Sequence, residues 1–157
     1  PMIQEVDALM KKHVPDRYEK QAAVAQKSHP DFLIPGTHFS TLTVNKNFRT
    51  AYHRDAGNLK DGISAMSVIR QGKWTGANLC FPQFRVAVKL DSFDTIIFDP
   101  HELHGNTPLI KLSEDAVRCS VVYYFREKIQ FCKSAEEELE TVKNRKPGAL
   151  FPEEENV

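Results

Sequence analysis

No apolar run in this 157-residue chain approaches the ~18 residues that a membrane-crossing helix needs, so no span is expected. The first residues carry no apolar signal core, so no secretory leader is expected either. Cysteine is scarce: Cys80, Cys119 and Cys132 are an odd number with no repeated spacing. That argues against a disulfide framework and fits a reducing, intracellular setting, cytoplasmic or nuclear. Neither sign of charge dominates, with 21 basic and 21 acidic residues. The balance argues against strong nonspecific adhesion to nucleic acid or to an anionic membrane, while leaving room for a local basic groove. Internal repeats and low-complexity tracts are missing too.

What is present reads as one globular domain over 1–157, with 41% apolar and 27% charged residues. Helices are expected at both ends. Ile3, Val6, Leu9 and Met10 recur at helical spacing over 2–12, Pro15-Asp16 restarts the pattern, and a second helix follows over 16–28, so that 1–36 forms a helical N-terminal part. Ser134-Ala135-Glu136-Glu137 reads as a capping box opening a last helix in 134–157, stopped by Lys146-Pro147-Gly148 ahead of an acidic tail. Between them, 38–126 is β-rich. Strand signals run from His38 to Val44, Gly62 to Ile69, Ala77 to Phe81, Phe84 to Leu90, Thr95 to Phe98 and Val117 to Phe125. Short strands separated by turn signals favour a sandwich or barrel over βαβ units, and a small jelly roll, the double-stranded β-helix of the cupins, fits best.

Chemistry centres on the stretch Thr50-Ala51-Tyr52-His53-Arg54-Asp55-Ala56-Gly57-Asn58. In an extended chain residues i and i+2 point to the same side, so His53 and Asp55 present an imidazole and a carboxylate together. These are two of the three donors of a 2-His-1-carboxylate iron site. His104, just past the strand ending at Asp99-Pro100, can supply the third. His101 competes with it, and the bend at Pro100 prevents strand parity from choosing between them. Fourteen residues beyond His104 lies Arg118-Cys119-Ser120. Arg118 and Ser120 share one face of a strand whose other face carries Val117, Cys119 and Val121. A guanidinium inside such a strand is costly unless paired, either with a carboxylate on a neighbouring strand or with one carried by a bound cosubstrate.

Taken together, His53-x-Asp55, His104 and Arg118-x-Ser120 resemble the pattern of the Fe(II)/2-oxoglutarate-dependent dioxygenases over roughly 38–126. The resemblance implies a double-stranded β-helix, Fe(II) held by His53, Asp55 and His104, and 2-oxoglutarate whose far carboxylate is clasped by Arg118 and Ser120, with O₂ as the second cosubstrate. A narrower resemblance lies in Arg49-Thr50-Ala51, Asp55-x-Gly57-Asn58, Leu79-Cys80-Phe81-Pro82 and His104-Gly105-Asn106-Thr107. These look like the branch of the base-J-binding proteins and the ten-eleven-translocation enzymes. It implies hydroxylation of the methyl group of thymine or 5-methylcytosine in nucleic acid, on a base flipped from its duplex. Arg49, Asn58 and Asn106 are then substrate-site candidates by their nearness to the metal set, and Phe48 or Tyr52 could stack on the base. Two other readings stay open: the same oxygenase chemistry on a protein side chain or small metabolite, and a non-enzymatic cupin-like metal-binding module.

Overall fold

The computed structural model describes residues 2–144. Two helices open the chain, α1 (Met2–His13) and α2 (Pro15–Ala25). Glu5 lies in the first turn of α1 and Lys11, Lys12 and His13 in its last, matching the helix dipole. Pro15 stands at the first turn of α2, where its missing N–H removes no intrahelical bond. The buried stripe of α1 runs through Val6 and Met10 with Ile3 packed beside it, whereas Leu9 is exposed. Its expected place on the stripe is taken by Asp7, turned inward to accept from the Tyr18 hydroxyl at 2.8 Å and from the His38 N–H at 2.8 Å.

Among the described residues nine strands follow: β1 (Thr41–Lys46), β2 (Ser64–Gln71), β3 (Trp74–Gly76), β4 (Leu79–Phe81), β5 (Val86–Val88), β6 (Thr95–Phe98), β7 (Gly105–Asn106), β8 (Leu109–Lys111) and β9 (Val117–Tyr124). A four-stranded antiparallel sheet has the order β1-β9-β2-β6. Opposite it lie a three-stranded sheet, β5-β4-β7, and the pair β3-β8. The four-stranded sheet packs an apolar cluster on each face. Ala65, Val121 and Tyr123 point at Val6, Met10, Tyr18 and Ala22 of the helices. Met66, Val68 and Phe98 point the other way, into a second core with Trp74, Leu79, Phe81 and Leu90. Each fully buried large apolar side chain contributes about 1.5–3 kcal/mol, so these two cores hold the layers together.

The strand readings need three corrections. Phe84 to Leu90 is not one strand: Pro82–Phe84 is a single 3₁₀ turn, Arg85 is left-handed at φ 55°, and pairing is confined to Val86–Val88. The first strand begins at Thr41 rather than His38 and runs on to Lys46. Strands β3, β7 and β8 carry no pattern in the sequence because they are two or three residues long and exist through their partners. Gly76 permits the β3-β8 pairing: its φ is +75°, and a Cβ there would sit 2.1 Å from the Pro108 carbonyl oxygen.

The helix after Ser134 is α3 (Ala135–Lys143), and both hydrogen bonds of the capping box are made. The stop at Lys146-Pro147-Gly148 and the acidic tail lie outside the described residues.

Candidate metal centre and cleft

The segment bearing His53 and Asp55 is not a strand. Residues 47–63 form an irregular connection whose ladder contacts are two isolated antiparallel bridges, His53 to His104 and Asn58 to Arg126. The His53 N–H donates to the His104 carbonyl at 2.9 Å, and the His104 N–H returns a bond to the His53 carbonyl at 3.0 Å. Two residues on, the Asp55 N–H donates to the Pro100 carbonyl at 2.9 Å. These bonds to the turn after β6, rather than strand alternation, bring the imidazole and carboxylate to one side.

One ligand atom from each of His53, Asp55 and His104 lies within 4.8 Å of the other two. His53 Nε2 is 3.1 Å from Asp55 Oδ1, and the two imidazole rings are 4.4 Å apart. Each ring uses Nδ1 on a backbone carbonyl: His53 on Ala51 at 2.9 Å, His104 on Glu102 at 2.7 Å. A ring nitrogen that donates to a carbonyl fixes the tautomer and leaves Nε2 with its lone pair free for a metal. His104 is buried, and burial holds its pKa below the usual histidine value, with His53 acting in the same sense. The neutral, ligating form is thereby favoured. The edge of Phe98 packs on the His104 ring at 5.1 Å and Phe81 lies at 6.2 Å, so an apolar wall backs this donor.

Gly105 lets the two segments approach. A Cβ there would meet Tyr52 Cδ1 at 2.8 Å and the backbone of Ala51 at 3.1 Å. His101, the competing histidine, is outside the cluster. Its Nδ1 and its N–H both contact Asp99 Oδ1, each at 3.0 Å.

A cleft of about 370 Å³ contains the three side chains. Ser120, Val122 and Tyr124 of β9 and Thr43 and Asn45 of β1 line one wall. Arg118, two residues before Ser120 on the same face of β9, is 2% exposed. Its Nη1 donates to Ser120 Oγ at 3.1 Å, while Nε and Nη2 are buried without a partner. Arg70 is its cross-strand neighbour, yet the anion there is already used: Arg70 Nε lies 2.7 Å from Asp91 Oδ1. Burial pulls the Arg118 pKa below the usual guanidinium value. No carboxylate on a neighbouring strand pairs with Arg118 among the described residues.

The substrate-site candidates separate. Asn58 is buried, lines the cleft and donates through Nδ2 to Asp55 Oδ2 at 3.2 Å. Asn106 lines both this cleft and a neighbouring groove. Arg49 lines only the groove, with Tyr52. Phe48 borders the metal cleft and is 59% exposed. Sequence reasoning missed Arg54, Arg126, Thr43 and Tyr124, all of which line the cleft. Carrying the parity of Arg118 and Ser120 forward along β9 would have found Tyr124 and then Arg126.

Comparison with known proteins gives concordant matches. Residues 1–127 match the Tet_JBP model, described as the oxygenase domain of the 2OGFeDO superfamily. The bifunctional helicase and thymine dioxygenase JBP2 of Trypanosoma brucei brucei (strain 927/4 GUTat10.1) is 38% identical over 125 residues, 80% of this chain and 11% of that protein. Thymine dioxygenase JBP1-B of Trypanosoma cruzi (strain CL Brener) is 39% identical over 129 residues, 80% of this chain and 15% of that protein. The chain thus spans a small part of the curated relatives it matches. Among solved structures, NgTET1 in complex with 5mC DNA superposes with a TM-score of 0.67 at 11% identity, covering 90% of this chain and 56% of that one. The shared fold is the double-stranded β-helix.

Proposed function

The chain belongs to the Tet_JBP family, the oxygenase domain of the 2OGFeDO superfamily, and on that premise we propose that it hydroxylates the methyl group of a pyrimidine base in nucleic acid, using Fe(II), 2-oxoglutarate and O₂. His53, Asp55 and His104 would hold Fe(II): two imidazoles with free Nε2 atoms and one carboxylate suit that ion, and three protein donors leave positions open for cosubstrates. The observation that carries the cosubstrate reading is the Arg118 guanidinium, buried beside the cleft with Nε and Nη2 unpartnered. An unpaired buried charge costs several kcal/mol, and a dicarboxylate whose far end reaches Arg118 and the Ser120 hydroxyl offsets that cost.

The chemistry supplied by iron when bound is oxygen activation. One O₂ and one 2-oxoglutarate give succinate and CO₂ while a C–H of the substrate becomes C–OH. The chain's own residues bind and shield. His53 and His104 are held in their ligating tautomer by the Ala51 and Glu102 carbonyls. Phe81 and Phe98 keep water from the back of His104.

The substrate class is supported by the relatives, thymine dioxygenases at 38% and 39% identity. The cleft is compatible with it. Its volume of about 370 Å³ is of the order of a small-ligand site. Arg126 lines the cleft as a candidate phosphate contact, the Arg54 guanidinium beside it is held on the His101 carbonyl, and exposed Phe48 offers a face to a flipped base. Asn106 and Asn58 offer polar groups inside, and Arg49 lies a little outside, in the groove beside Asn106.

The test has two stages. Anaerobic addition of Fe(II) and 2-oxoglutarate gives a weak visible charge-transfer band that Asp55→Ala removes; a band unchanged in that variant overturns the triad. Nucleoside mass spectrometry after incubation with thymine- and 5-methylcytosine-containing DNA then shows a hydroxymethyl product. Consumption of 2-oxoglutarate with a protein or metabolite, and no hydroxymethyl base, assigns the oxygenase to that other substrate class. Metal uptake with no 2-oxoglutarate binding assigns the chain as a non-enzymatic metal-binding module.

A further inference from the structure

Asp55 divides its two oxygens. Oδ1 faces His53 Nε2 at 3.1 Å, and Oδ2 accepts from Asn58 Nδ2 at 3.2 Å. The same Nδ2 also donates to Ser64 Oγ at 3.3 Å, so both amide hydrogens are committed. Ser64 is 1% exposed and opens β2, paired in register with Phe98 of β6. Asn58 is itself 7% exposed, and its backbone is fixed by an isolated bridge to Arg126, with Leu59 N–H on the Phe125 carbonyl at 2.9 Å. The amide therefore cannot turn without losing its bond to Ser64, the first residue of β2. It forms a rigid link from that sheet to a carboxylate that otherwise sits on an irregular segment, held only through its N–H.

A carboxylate free to rotate can offer one oxygen or both to a cation. With Oδ2 tied to a donor, only Oδ1 is left on the side of the two histidines. We propose that Asn58 is a positioning residue: anchored on Ser64, it ties off one oxygen of Asp55 so that the carboxylate acts as a single-oxygen donor to a metal held with His53 and His104. The inference rests on the iron-site reading given above. It assigns Asn58 a task that a pure substrate contact would not have, because it operates with no substrate present.

The experiment is an anaerobic titration of the full chain with Fe(II), and in parallel with Co(II), in the absence of 2-oxoglutarate and substrate. Asn58→Leu keeps the buried volume without a donor; Ser64→Ala removes the anchor. Groups that orient a metal ligand typically account for about 10- to 100-fold in metal affinity. Asn58→Leu loses affinity in that range while circular dichroism and the melting temperature of the metal-free protein show it folded. Ser64→Ala loses severalfold. The visible absorption of the Co(II) form changes intensity in both, since a second carboxylate oxygen entering the coordination sphere alters its geometry. A folded Asn58→Leu with wild-type metal affinity and an unaltered Co(II) spectrum overturns the proposal, even if it impairs turnover of DNA. Should Asn58→Leu not fold, an unchanged Ser64→Ala overturns it equally. Failure of the wild-type chain to take up either metal is a different result: it removes the iron-site reading and this inference with it.

Discussion

Arg17 on α2 reaches across to Asp99 at the end of β6, with Nη2 2.9 Å from Oδ2. The same guanidinium donates to the carbonyls of Asp61 and Gly62, at 3.0 and 2.6 Å. Asp99 in turn accepts from His101, and the next residue, Pro100, supplies the carbonyl that holds the Asp55 N–H at 2.9 Å. A helix outside the sheet thus braces the turn that positions a candidate metal ligand.

Arg17→Met tests that brace. The pair is about one-third exposed, so solvent screens it, and the expected loss is about 1 kcal/mol in urea unfolding. Metal affinity falls with it. Loss of stability with no change in metal affinity would show the brace to be purely structural.

Asp99 also sets a pH dependence. Burial pushes its pKa up, but the His101 N–H, the Arg17 hydrogen bond and the His101 ring outweigh burial and leave it below the usual carboxylate value. The unfolded chain then binds the proton more readily than the folded one. The contribution is complete above the unfolded value of roughly 4 and is lost as pH falls through the lower folded value. Stability measured from pH 6 to pH 2 should fall less steeply in Asp99→Asn than in wild type. Parallel curves would remove Asp99 from the account.

For Arg118 two substitutions should move in opposite senses. Arg118→Lys keeps the charge and loses the planar fork, weakening 2-oxoglutarate binding by about 1.5–3 kcal/mol with Fe(II) binding retained. Arg118→Met removes a buried charge that has no anionic partner among the described residues, and the cosubstrate-free protein should be equally or more stable, by up to about 1–4 kcal/mol. Calorimetry and thermal melting check both. A strongly destabilised Arg118→Met would mean that the guanidinium serves the fold.

The two histidines after Pro100 separate cleanly. His104→Ala should lose Fe(II) binding and turnover. His101→Ala should keep Fe(II) binding, with a smaller loss of activity through its contact with Asp99. The reverse pattern would exchange their assignments.

The long elements were legible because they carry their own signal. Helix α1, the capping box at Ser134 and strand β9 rest on periodicity and local hydrogen bonds. Strands β3, β7 and β8 were not, because pairing across the fold defines them. His53 and Asp55 do face one side, though the reason offered by extended-strand parity was wrong. Their common direction comes from bonds to His104 and Pro100, more than forty residues away in sequence. Likewise the shared face of Arg118 and Ser120 follows from alternation, but the absence of a partnering carboxylate depends on which residues oppose Arg118, and those are Arg70 and Asn47. Arg54 carries no local mark; only the closed fold brings it to the cleft.

Strand β9 has two tenants, one on each face. Its even-numbered residues from Arg118 to Tyr124 serve the cleft, and Val121 and Tyr123 serve the helices. Insertion or deletion of one residue inside this strand would exchange the tenants at every position beyond the change. An aromatic ring would enter the cleft and a hydroxyl would enter the helix interface together. The strand therefore tolerates exchange of residue types far better than any change in its length. A change in length is expected to be tolerated only in the turns that flank it, such as the polar one from Leu112 to Ala116.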